Sequence, residues 1–511
     1  MMLITNCNQT KKKEELNPIG NLKIGWASTD ITPNQPVDLK GQFPARISEG
    51  ILDPVTSTVF AIESKNNHSN EMAFLISCDL LSIDNELLHV VRKKINQSIP
   101  DIDPNKIFIN ATHTHTAPHC SPDSDTKGIY GIELDVMAPS DYLEFASNHI
   151  VNAVQEAWTN RKPGGISFGL GYAAVGQNRL QVDFSGKSQM YGNTNRKEFS
   201  HLEGYVDHSV NLLYTYDNDR NLTGIVINVA CPSQATETDY RISADFWHDT
   251  RVEIKNRLGD QIFILPQCSA AGDQSPHITV GEKAVNRMQY LMGTDSSQIG
   301  LRKMGRRKQI ALQIADAVTS VKPYMQNNID WSPEIKFKSE VINLSRRLID
   351  KNDVERAHNE VKEWEKKYNQ LKGEITDNPK MKDNPRWYIS ITAAYRQLAR
   401  RRSVQERFEL EKIHPKMPIE INILRIGDMV MATNPFELYL DYGMRMKAQS
   451  PSIQTFIIQL AGPGTYLPTE RATEGGAYGS VPASTYIGPE GGQELVEETL
   501  KLINEVMDYQ Y

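Results

Sequence analysis

The run NATHTHTAPH, residues 110–119, places His113, His115 and His119 within seven residues. An imidazole near neutral pH can ligate a divalent metal or carry a proton, so this concentration has the makings of a site. The preceding apolar stretch Ile107-Phe108-Ile109 predicts a buried strand that ends where the histidines begin. On an extended segment His113 and His115 would face opposite ways, so one would ligate while its neighbour faces substrate or supports the first. The competing reading is a solvated loop that happens to be rich in histidine.

Other residues capable of chemistry share this position just past a strand. Asp245 and His248 follow the run ending at Ala230, Asp273 and Ser275 follow the run ending at Pro266, Glu437 follows Met429 to Ala432, and Tyr466 follows Thr455 to Leu460. Five strand ends are therefore expected to converge on one crevice, where loops hold reactive groups on a rigid scaffold.

The elements that would position them read as a mixed α/β (α+β) fold. Strands are expected at Met72 to Cys78, Ile107 to Asn110, Gly224 to Ala230 and Ile262 to Pro266, with helices at Tyr142 to Trp158 and Lys308 to Val321. Val354, Ala357, Val361, Trp364, Tyr368 and Leu371 recur at helical spacing, and a second helix follows Asn384-Pro385. We read 345–412 as an antiparallel helical hairpin inserted into the core. Ile421 to Ile426, Gly427-Asp428 and Met429 to Ala432 have the pattern of a β-hairpin. Ala461 to Gly492 is Gly-rich and aperiodic, as functional loops often are. The expected divisions are a tether over 1–21, a catalytic core of mixed β-sheets flanked by helices over 22–340, the hairpin, and a part over 413–511 that completes the core, without a C-terminal β-domain.

Composition narrows the classes. With 511 residues, 39% hydrophobic and 23% charged, the chain is globular, and a net charge of -7 argues against a nucleic-acid partner, which needs a basic face. The five cysteines form no CxxC pair, which argues against both a thiolate cluster and a disulfide framework. No stretch is apolar for long enough to span a membrane. Arg400-Arg401-Arg402, with Arg396 and Arg407, is a basic knot expected on a solvated helix face. The N-terminal stub with Cys7 and its charged tether is similar to a bacterial lipoprotein remnant, which implies a lipid anchor at Cys7 and a periplasmic or cell-surface location.

At the level of motifs the chain resembles the neutral ceramidases, zinc-dependent amidases with a large α/β catalytic domain. NATHTHTAP resembles the family's ATHTHSGP, ISADFWHD its ISPDNKGY or ISADFPGY, AAGDQSPH its AGNLSPN or VGDVSPN, NPFEL its PAEFT, TYLPTERATEGG its YVTTREEYAAQEYEGG, and STYIGPE its STLYGP, all in the same order. The resemblance implies His113, Glu437 and Tyr466 as zinc ligands, His115 as a catalytic or oxyanion-stabilising imidazole, and Ser275 as the active-site serine; Asp273, in the same motif, is a further catalytic candidate. A zinc-bound water would then attack an amide or ester.

One departure bears on the metal. Where the family has its second histidine ligand, in THSTS or ACHPT, this chain reads Ala230-Cys231-Pro232-Ser233-Gln234. Either the metal is lost or another residue supplies the donor; His248 is the expected replacement and the Cys231 thiolate the alternative, while His248 could equally just open a helix. The substrate also departs from the family: a lipid-tail channel is not evident, and the Asn178-Arg179 loop, the Glu203 to His208 loop and the basic knot could hold an acidic sugar. The expectation is thus a zinc hydrolase acting on something other than ceramide. The alternatives are a carbohydrate-active hydrolase or lyase on the same fold, or a surface glycan-binding protein without catalysis. Substrate identity (small molecule, lipid or glycan) and oligomeric state stay open.

Overall fold

Two sheets pack face to face through one shared apolar core. The computed structural model describes residues 20–65, 70–293 and 298–509. Cys7 and most of the expected tether lie outside the described residues.

The first sheet is built from β1 (Leu22–Asp30), β2 (Thr56–Lys65), β3 (Asn70–Cys78), β4 (Ile107–Ala111), β5 (Lys162–Tyr172), β6 (Ser209–Asp217), β7 (Leu222–Val229) and β8 (Phe263–Cys268). Their spatial order is β8-β7-β6-β5-β1-β2-β3-β4. The two outermost pairs, β3 with β4 and β7 with β8, are parallel, and the pairs between them are antiparallel. Strands buried on both faces read as continuous apolar runs, and β4 is such a run, with every residue from Ile107 to Ala111 buried. The sheet curls until its edges meet: Ser77 Oγ and Asn110 Nδ2 both donate to the carbonyl of Pro266, at 2.5 and 3.3 Å.

The second sheet comprises β9 (Ile335–Ser345), β10 (Lys416–Ile426), β11 (Met429–Thr433) and β12 (Gln454–Ile458), in that order, with β11 and β12 parallel. Gly427 turns the β10–β11 hairpin at φ +62°, a conformation that favours glycine. Phe337, Leu424, Met431 and Phe456 from this sheet pack with Trp26, Phe60, Leu75 and Phe108 from the first in one apolar core. The helix Pro139–Thr159 covers one half of the first sheet, burying Tyr142, Ala146, Ile150 and Val154. The helices Phe246–Leu258 and Gln298–Met325 cover the other half.

The expected helical hairpin is present as Lys351–Asp377 and Ile389–Ile413. Its first helix opens on a capping box between Asp350 and Asp353, and its second ends before Pro415. The stretch expected to be aperiodic after Ala461 is more ordered than its composition suggests. It holds the short helix Glu470–Gly475, and Pro489 at the first turn starts the terminal helix Pro489–Val506.

Five strand ends are stitched together by main-chain hydrogen bonds. Ala111 N donates to Leu460 O, Gln459 N to Cys268 O, Ser269 N to Val229 O, and Asn434 N to Ile458 O, all between 2.8 and 3.2 Å. The ends of β4, β7, β8, β11 and β12 therefore lie side by side, as the sequence pattern implied.

Candidate active site

Each stitched strand end releases one reactive side chain into the same space. After β4 the chain breaks from extended geometry at His113, whose φ of +68° is rare for a residue with a Cβ and is held by the bond from its N–H to Leu80 O. The break defeats the alternation that would send His113 and His115 to opposite faces, and their rings lie 4.9 Å apart at 78°. His113 Nδ1 is 2.8 Å from Leu81 O, which leaves Nε2 facing the site, 3.5 Å from Glu437 Oε2.

Glu437 and Tyr466 are neighbours for a simple reason: they pair across a two-residue parallel ladder, Glu437–Leu438 against Tyr466–Leu467. Between these side chains lies Arg179, buried at 3% exposure. One of its terminal nitrogens, Nη2, is 3.6 Å from Glu437 Oε2 and 3.3 Å from Tyr466 Oη, and donates to Gly272 O at 2.7 Å. The other, Nη1, donates to Tyr191 Oη at 2.9 Å. Burial alone would lower its pKa, but Tyr191, Tyr466 and Glu437 outweigh that and hold it well above the ordinary value, so the guanidinium stays charged.

The His115 side chain is 13% exposed, and both of its ring nitrogens are buried without a hydrogen-bond partner among the described residues. Its Nδ1 is 3.9 Å from Glu237 Oε2, and Glu237 Oε1 is 3.2 Å from His277 Nε2. Burial, the field of His113 and nearby guanidinium groups push the His115 pKa well below its usual value, which outweighs the opposite pull of Glu237. Glu237 shows the reverse balance. Burial would raise its pKa, but His277, His115 and Arg179 bring it down to about 2, so a carboxylate faces a neutral imidazole. Gly41, at φ +121°, approaches the His115 ring so closely that a Cβ there would lie 2.7 Å from Nδ1.

The remaining expected residues fall in different places. Ser275 Oγ accepts from Tyr191 Oη at 3.3 Å and from His277 N at 3.1 Å. No imidazole among the described residues bonds to that oxygen, so a Ser–His nucleophile pair is not assembled. Asp273 is buried beneath the site, where Oδ2 accepts from Asn178 Nδ2 at 2.8 Å and Oδ1 from Leu440 N at 3.0 Å. Burial pushes its pKa up to about 7, and its bonds mark it as a positioning group that ties the Arg179 segment to the Glu437 segment. His119 pairs with Asp38 at 3.2 Å and Tyr130 at 3.3 Å, away from this centre.

The proposed replacement ligands are not in the cluster. His248 lies in the first turn of the helix capped by Asp245, and among the described residues it has no hydrogen bond, ion pair or ring contact with His113, Glu437 or Tyr466. That helix packs on Gln298–Met325 through Asp249 and Arg307, which explains why His248 is carried off. Cys231 Sγ points to Val175 O, 3.4 Å away, in the apolar core.

Sequence reasoning missed Glu237, His277, Gln234 and Tyr191. His277 closes the AAGDQSPH motif and Glu237 follows the Cys231 loop, so both carried the strand-end signal. Tyr191 comes just after the three-residue strand Ser188–Met190 of a small separate three-stranded sheet and carried none.

No family model matches the chain, and no curated protein matches it in sequence. Solved structures do. Neutral ceramidase from Pseudomonas aeruginosa superposes with a TM-score of 0.65 at 14% identity, covering 96% of this chain and 75% of that one. A ceramidase complexed with C2 gives the same TM-score at 13% identity, with the same coverage. The fold is ceramidase-like. At this identity the likeness is one of architecture.

The motif resemblance implies a zinc ion among these donors. His113, Glu437 and Tyr466 supply one nitrogen and two oxygens, and among the described residues no group of three or more His, Cys, Asp or Glu is arranged to hold a metal. Both oxygen donors are engaged by the Arg179 guanidinium, which puts a fixed positive charge where a dication would have to sit. With His248 and Cys231 turned elsewhere, the residues as held do not fit the metal.

Proposed function

We propose that the chain is a hydrolase that cleaves an amide or ester of a polar substrate with its own acid–base groups, without zinc. The observation that carries this reading is His115: a neutral imidazole whose two buried nitrogens have no partner among the described residues, facing the Glu237 carboxylate and lying in the field of the Arg179 guanidinium.

A buried polar atom without a partner costs stability, and such a cost persists where a ligand or water completes the bonding. In the proposed reaction a water between His115 and the substrate carbonyl gives its proton to the ring as its oxygen bonds the carbonyl carbon. Glu237 stabilises the imidazolium that forms, as a carboxylate beside a catalytic histidine does. The developing oxyanion is met by Arg179 Nε–H, which has no partner among the described residues, and by the Tyr191 hydroxyl, which turns its proton from Ser275 Oγ to the oxyanion while Arg179 and Gln234 Nε2 hold its oxygen in place. Collapse breaks the C–N or C–O bond, and the His115 proton leaves with the amine or alcohol. Tyr466 and Glu437 keep the guanidinium charged and oriented, and Asp273 and Asn178 support the loop that carries it.

The test is turnover of a short water-soluble N-acyl amide and ester against a long-chain ceramide in mixed micelles. Loss of activity on all substrates in His115→Ala, with melting temperature retained, supports the reading; turnover unchanged in that variant overturns it. One observation favours a second reading, a carbohydrate lyase: Tyr191, a phenol held by two N–H donors, is also placed to move a proton. An unsaturated sugar product instead of an acid plus an amine would decide for it.

A further inference from the structure

The basic knot on the helix Ile389–Ile413 divides into paired and unpaired arginines. Arg401 donates to Glu360 and Arg402 to Glu365, each at 2.7 Å, across the hairpin. Arg400 points the other way, over the loop that follows Tyr466, and has no carboxylate within ion-pair distance among the described residues. Its Nε donates to Ala483 O at 3.2 Å and its Nη2 to Ser484 Oγ. The other three of its five N–H groups have no protein partner among the described residues.

This guanidinium is fixed, not waving in solvent. It lies 4.6 Å from the ring centre of Tyr478 and 5.8 Å from that of Phe43. Those rings continue a line of edge-on aromatics that starts inside the site: Tyr439 to Tyr466 at 6.4 Å, Tyr466 to Tyr478 at 5.9 Å, and Tyr478 to Phe43 at 5.9 Å. Tyr439 is fully buried and Tyr478 is 38% exposed, so the line leads outward. Phe43 lies two residues beyond Gly41, the glycine pressed against His115. At the outward end of this line, a preorganised guanidinium with no carboxylate partner beside aromatic rings is suited to hold a ring that carries an oxyanion, since a planar fork binds carboxylate or sulfate in bidentate fashion.

We propose that Arg400, Tyr478 and Phe43 form a subsite for a sugar bearing a carboxylate or sulfate, placed so that an N-acyl group on the same or the adjoining sugar reaches His115. The proposal rests on the hydrolase reading above and names its substrate class, an N-acyl amino sugar in an acidic saccharide. The reaction would consume one water, breaking the C–N bond and forming a C–O bond to yield a carboxylate and an ammonium.

Binding to the full chain is measured by calorimetry with three probes: a tetrasaccharide alternating N-acetylglucosamine and glucuronate, the same tetrasaccharide carrying sulfate, and neutral chitotetraose. At least about tenfold tighter binding of an acidic probe than of chitotetraose is expected. Arg400→Met should bring that ratio to within about threefold while leaving chitotetraose affinity in place, and Arg401→Met should leave the ratio intact. Whichever acidic probe binds better identifies carboxylate or sulfate as the recognised group. Equal affinity for acidic and neutral probes, a ratio that survives Arg400→Met, or no binding of any probe overturns the subsite. Because binding is read without turnover, an acidic preference in an inactive protein would fail the hydrolase reading alone, whereas amide turnover without that preference would fail the subsite alone.

Discussion

Arg179 Nη2 lies 3.6 Å from Glu437 Oε2, on the side of that carboxylate that also faces His113. A cation is therefore part of the chain at the point where three donors converge.

Metal content follows directly. Protein purified without added zinc is expected to carry well under about one zinc per chain, and chelation should leave its melting temperature unchanged, since structural or catalytic zinc is bound tightly enough to survive purification. Mass spectrometry for metals checks this; one tightly held zinc per chain would reverse the assignment of Arg179.

Removing one partner from a buried charge pair costs more than the pair contributes, because the other charge is left stranded. Glu437→Gln strands Arg179 and is expected to destabilise the fold by about 3 kcal/mol, read from chemical denaturation. A loss below about 0.5 kcal/mol would mean that Arg179 is satisfied without Glu437.

His115 is held well below its ordinary pKa, so it is neutral, and able to accept a proton, throughout the neutral range; the rate should fall only as acid finally protonates it, below the usual imidazole midpoint. Tyr191 is raised above its ordinary value by burial, so no alkaline fall is expected below about pH 10. The same depression makes His113, His115 and His119 lower stability in acid. The unfolded chain takes up protons there first, so their contribution is complete above about pH 6.5 and is lost as pH falls through the folded values. A rate that halves between pH 7 and pH 6 would contradict the assignment of His115 as base.

Gly41→Ala tests how tightly the base is held. The new methyl would sit 2.7 Å from His115 Nδ1 on a backbone at φ +121°, so the ring must tilt. Turnover is expected to fall by at least about tenfold, more than the change in KM, because a misplacement of an ångström at a reacting group costs on this scale. Retained turnover would show that the imidazole can move freely.

Much of the scaffold was legible because its signals are local. The apolar runs at 107–110 and 455–460, the Gly427-Asp428 turn and the Val354 to Leu371 seam each reach the observed elements to within a few residues. The convergence of strand ends was legible too, since it needs only the position of polar residues after strands. What was not legible depends on neighbours far apart in sequence. His248 has the right residue type, but the direction of its helix is set by the pairing of Arg307 with Asp249 and Asp53. Tyr191 enters through Arg179, Gln234 and Ser275, contacts without a periodic trace. Arg400 and Arg401 are adjacent in the chain yet face a loop and a glutamate respectively, a division set by the hairpin partner.

The main-chain bonds that join Ala111 to Leu460, Cys268 to Gln459 and Val229 to Ser269 run between the two sheets as well as within the first. His113, Glu237, Ser275, Glu437 and Tyr466 each follow a strand whose end is joined into that seam. Denaturant or heat that parts the sheets would scatter all of them in one event, and catalytic competence and global folding would vanish along the same curve.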